Sequence, residues 1–170
     1  MYVNSNECIC RTIYPLSDDS YVLELNTIIK TYACNSSALI TVDSVEISID
    51  SLSPITFKSV SFDGNGCLDA SAQISPNGKG IQIFYPNFSS FSSNMQLNES
   101  NCKASIIFNI KNKNKCLPLR LNYRVSGQAF LDDNIEAQVS LGCEQLKYFK
   151  CAYSNNYSAE LDINLIKFRC

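Results

Sequence analysis

An all-β domain, a jelly-roll or β-sandwich of about eight to nine antiparallel strands behind an extended N-terminal arm, is predicted by three features of this sequence. Apolar and polar residues alternate over short runs, turn-forming residues separate those runs, and no long helix-period segment interrupts them. The clearest alternation runs through Leu117, Leu119, Leu121, Tyr123 and Val125, and again through Ile135, Ala137, Val139, Leu141 and Cys143. With Asp132-Asp133-Asn134 as the turn between them, the two runs read as a long hairpin. Facing residue numbers would then sum to about 265, which sets Cys116 near Phe149 and within a diagonal step of Cys151. That spacing makes Cys116 and Cys151 candidates for an intrachain disulfide. If Ser105–Ile110 pairs with Leu117–Val125, the same arithmetic keeps Cys102 well beyond the ~7 Å reach of Cys116.

The remaining elements follow in order. Residues 1–19 read as a connector arm, with polar Asn4-Ser5-Asn6, then Cys8-Ile9-Cys10, then the turn-prone Ser17-Asp18-Asp19; residues 20–170 form the sandwich. At ~3.3 Å per residue, fifteen arm residues span on the order of 50 Å, enough to reach a neighbouring molecule. Tyr21–Ala33 and Leu39–Asp50 are strands, as is Ile55–Phe62 before the Asp63-Gly64-Asn65-Gly66 turn. Leu68, Ala70, Ala72 and Ile74 alternate, and Pro76-Asn77-Gly78-Lys79-Gly80 is a strong hairpin signal returning through Ile81–Tyr85. Pro86–Asn101 is rich in Ser and Asn and reads as a long loop anchored by Phe88, Phe91, Met95 and Leu97. Gly142–Ala152 could hold a helical turn, and a last strand carries Leu161, Ile163 and Leu165.

Composition narrows the function. The 170 residues carry a formal net charge of -2, with 45% hydrophobic and 18% charged residues, as expected for one domain. There is no basic stripe for nucleic acid, since Lys111–Lys115 is short enough to be a solvated loop. No run approaches the ~20 apolar residues of a membrane helix, and the N-terminus shows neither the basic start nor the apolar core of a signal peptide. The chain has no His and no nucleophile-elbow, zinc-protease or phosphate-loop motif, so no enzyme activity is expected. Asp132-Asp133 and Asp18-Asp19 fall in turns, where carboxylates cap backbone groups. Cys8-x-Cys10 lacks the second matching pair of a zinc site, so neither metal nor other cofactor is expected. Asn-x-Ser triplets at Asn35, Asn87, Asn98 and Asn156 are read as the background of an Asn- and Ser-rich chain.

Nine cysteines are the compositional outlier. A domain of this length buries roughly 70% of its unfolded surface and needs no staples to fold, so the surplus points to durability or cross-linking. The odd count leaves one cysteine free or bonded to another molecule. Cys8, Cys10 and the terminal Cys170 are the intermolecular candidates.

The Cys8-Ile9-Cys10 arm, the His-free all-β body and the surplus body cysteines together resemble the endospore-appendage pilins of spore-forming Firmicutes. The resemblance implies a subunit without a signal peptide, outside the cell or on the spore surface, that polymerises with copies of itself into a helical filament. Cys8 and Cys10 would be its connector thiols. The alternative expectation is a surface-exposed sandwich that binds carbohydrate or a host ligand through Tyr85, Phe88 and Phe91.

Overall fold

The computed structural model describes residues 11–111 and 119–165, which form thirteen strands in two sheets. Every pairing among them is antiparallel. The predicted β-sandwich is the observed fold. The first sheet holds β1 (Arg11–Pro15), β2 (Ser20–Ala33), β5 (Ile55–Asp63), β9 (Gln96–Ile110), β11 (Ile135–Leu141) and β12 (Glu144–Phe149), in the order β12-β11-β2-β9-β5. The second holds β3 (Ser37–Thr41), β4 (Ser44–Ile49), β6 (Ser71–Ile74), β7 (Gly80–Phe84), β8 (Ser89–Ser93), β10 (Leu119–Leu131) and β13 (Tyr153–Leu165).

Two long strands organise the sheets. One edge of β2 is shared in tandem by β1, against Tyr21–Leu25, and β11, against Thr27–Ala33. One edge of β10 is likewise shared by β4 and β3, while its other edge carries β13 over thirteen consecutive pairs. Each buries one face at period two: Leu23, Leu25, Thr27, Ile29, Thr31 and Ala33 on β2 meet Leu121, Tyr123, Val125, Ala129 and Leu131 on β10 in the core. Polar rungs cross that core. Thr27 Oγ1 and Tyr123 Oη lie 2.6 Å apart, and Thr31 Oγ1 and Ser90 Oγ 2.8 Å. Because both ends of each rung are partnered, they tie the sheets together without leaving a buried hydroxyl unsatisfied.

Several expectations need correction. The long hairpin does not form, because β10 and β11 lie in different sheets and Asp132–Asn134 crosses between them. Both strands have one apolar face, and such faces can meet across a sandwich as readily as they line up within one sheet. β9 pairs with β2 and β5 rather than with β10. Leu39–Asp50 is broken at Val42-Asp43 into β3 and β4, and Gly142–Ala152 contains the strand β12 rather than a helical turn. Pro86–Asn101 is not a long loop but β8, a tight turn and the start of β9. Its inward positions include Ser90, Ser92 and Ser100, whose buried hydroxyls hide the alternation from a hydrophobicity reading. Within the expected arm, Arg11–Pro15 is a strand hairpinned onto β2.

Candidate binding surface

The sequence-derived ligand site divides when placed in the fold. Tyr85 and Phe88 are 5% and 1% exposed, with rings packed edge to face at 5.2 Å, and burial pushes the Tyr85 hydroxyl well above its ordinary titration range. They are core anchors and cannot meet a ligand. Phe91 alone reaches solvent, at 54% exposure, because it occupies the outward phase of β8.

Phe91 belongs to a larger apolar patch. It faces Leu39 across the β3–β8 ladder, and Leu39 faces Phe130 across the β3–β10 ladder. This makes a transverse row of three apolar side chains on the outer face, with Phe130 46% exposed. The row runs beside one end of the sandwich, where the turns after β2, β8 and β10 converge. Met95 donates its N–H to Ala33 O at 2.7 Å, Cys34 donates to Asn134 O at 3.1 Å, and Asp132 donates to Ser37 O at 3.1 Å. The Asp132 carboxylate accepts from both the N–H and Oγ of Ser37, at 3.0 and 2.7 Å, and these bonds hold its carboxyl below the usual range.

The turns are built from left-handed residues, namely Asn35, Asn94, Met95 and Asn134. Asn tolerates this conformation, but Met at φ 63 does so against the clash of its own Cβ. Asn94-Met95 is a two-residue corner that carries the chain from β8 in one sheet to β9 in the other, and this geometry leaves the Met95 side chain 61% exposed at the tip. On the opposite outer face Leu97, 68% exposed, pairs with Tyr32. A shallow hollow of about 130 Å³ lies there, lined by Tyr32, Leu97, Tyr148, Lys30 and Glu136. The apolar patch therefore continues around the tip from one sheet to the other.

The cysteines are distributed differently from the sequence reading. Cys67 and Cys102 form a disulfide that ties the segment after β5 to the centre of β9, and Cys143 is also disulfide-bonded. Cys34 is a free, half-buried thiol. Cys151 is free and exposed, its expected partner Cys116 falls outside the described residues, and the hairpin that suggested their pairing is absent. Cys8, Cys10, Cys116 and Cys170 lie outside the described residues. Among the described residues no group of three or more metal-ligating side chains is assembled, and no helix is long and apolar enough to cross a membrane.

The phase of β10 would have flagged Phe130, because it is aromatic at a position of outward parity. Met95 and Leu97 carry no such signal in a segment whose Ser- and Asn-rich composition reads as loop. The Cys67–Cys102 bond needed the β5–β9 register, in which Phe62 faces Ala104. No family model and no curated protein matches this sequence. Among solved structures, the chain is similar to a collagen-binding domain from a Staphylococcus aureus adhesin, with TM-score 0.42 and 10% identity over 91% of this chain and 95% of that one.

Proposed function

We propose that this chain is a disulfide-braced β-sandwich binding module that engages a protein ligand through the turn-bearing end. The observation that carries this reading is the row Phe130–Leu39–Phe91 and its continuation through Met95 to Leu97, large apolar side chains kept in water around a rigid tip. Their chemistry, Phe, Met and Leu, suits a desolvated protein contact. The disulfides fit an oxidising compartment outside the cytosol. The test is saturable binding of the intact chain to a panel of immobilised extracellular proteins and glycans, repeated with the double variant Phe91→Ser/Phe130→Ser. Loss of two aromatic anchors should weaken protein binding by about tenfold or more with little change in melting temperature. A double variant that binds as well as the parent overturns the proposal, and so does a parent that binds nothing on the panel.

The fibre-subunit reading rests on Cys8, Cys10 and Cys170, and no described residue supports it. A denaturing gel with and without reductant separates the two. High-mass material that collapses to 19.0 kDa only with reductant favours the fibre; one monomer band in both lanes discards covalent assembly.

A further inference from the structure

Exposed sheet edges offer unpaired N–H and C=O groups to any passing strand, and proteins ordinarily blunt them with short length, Pro, Lys or a bulge. Five edges here are blunted. β1 has five residues and ends at Pro15, and β6 has four. β5 carries a register shift around Lys58, and β12 contains Lys147 and carries its own shift at Leu146. β8 is short and covered by β9, with Ser90 Oγ and Ser92 Oγ donating to Asn98 O and Gln96 O and Asn98 Nδ2 donating to Phe91 O.

β13 is the exception among the described residues. It is thirteen residues long, contains no Pro and no Lys, and follows β10 without a register shift. Which of its backbone groups face outward can be read from Asn156. Its N–H donates to Asn155 Oδ1 at 2.8 Å and its C=O accepts from Tyr153 Oη at 2.7 Å, so both point away from β10 and are capped by neighbouring side chains. The alternation of an antiparallel ladder then turns the N–H and C=O of Ser158, Glu160, Asp162 and Asn164 to the same open side, where no cap among the described residues covers them. Above that edge Ala159 and Leu161 reach the core yet stay only partly buried.

We infer that Ser158–Asn164 is a strand-addition site for an extended, basic polypeptide segment. Charge selects the occupant. Glu160 and Asp162 are exposed on the outer face; Glu160 is shared with Arg124, whereas among the described residues Asp162 has only the Asn122 amide at 3.0 Å. A second copy of β13 placed antiparallel and centred on this stretch would set Glu160 against Asp162 or against itself, and like charges directly opposite repel. A segment with Lys or Arg at alternate positions would instead face both carboxylates, and its intervening apolar residues would cover Ala159 and Leu161.

The probe is a capped heptapeptide of alternating Val and Lys, titrated against the full chain by backbone amide NMR without reductant, so that the disulfides stay intact. Saturable shifts confined to β13 are expected, about tenfold weaker for the Val/Glu peptide and lost when the peptide's edge-facing amides are N-methylated. Asp162→Lys should reverse the preference toward the Val/Glu peptide. Equal binding of the N-methylated peptide, an unchanged preference in Asp162→Lys, or no saturable shift would each overturn the inference. Phe91→Ser/Phe130→Ser should bind the Val/Lys peptide like the parent, so failure here is separable from failure of the turn-bearing end.

Discussion

Met95 occupies a backbone conformation that a β-carbon disfavours, at the exposed tip of the patch. Met95→Gly should therefore raise stability by about 1 kcal/mol in chemical denaturation, since the clash is relieved and little burial is lost. The same change should weaken ligand binding if the tip makes contact. Tyr123 makes the opposite kind of contribution. It is buried, its hydroxyl meets Thr27, and burial raises its titration, as it does for Tyr85 and Tyr157. A folded-state value above the ordinary one means that the native state holds the proton more tightly. The stability so contributed is complete below about pH 10 and declines as pH rises beyond it. Absorbance titration of the phenolates should show these three of the nine tyrosines ionising only as the chain unfolds. Tyr123→Phe should cost about 1–2 kcal/mol at neutral pH, because Thr27 loses its buried partner, yet shallow the alkaline decline.

The Cys67–Cys102 bridge closes a 35-residue separation and anchors the segment between β5 and β6 to the middle of β9. Replacing both cysteines by alanine should lower unfolding free energy by roughly 3–4 kcal/mol, measured by denaturant titration of parent and variant. Hydrogen exchange should rise first around Gly64–Ala70. This link lay out of reach of the sequence because it depends on which strands pair. What alternation does reveal is each strand's inward face: β2, β4, β9 and β10 are legible in that way, and the Asn77-Gly78 turn between β6 and β7 is legible from its chemistry, with Gly78 at φ 68. Partner choice is not legible. Asp132–Asn134 has the composition of a hairpin turn and also serves as a crossing between sheets, and only the competition for edges of β2 and β10 decides between them.

Taken across the molecule, the two proposed contact regions divide by chemistry. The turn-bearing end is apolar and built from side chains, while the β13 edge is acidic and built from backbone. Of the first, Phe91 was visible in the sequence and its fellow candidates Tyr85 and Phe88 were not distinguishable from it, since all three are aromatic and only strand phase separates core from surface. Of the second nothing was visible, because an open edge is a property of topology. The thirteen-rung ladder between β10 and β13 has one further consequence. The turn-bearing end lies where β13 begins, and β13 finishes at the opposite end of the sandwich. A pull between a ligand held at the tip and the far end acts along the strands, so the ladder is loaded in shear and its rungs resist together rather than opening one after another. The architecture suits a contact that must hold under tension.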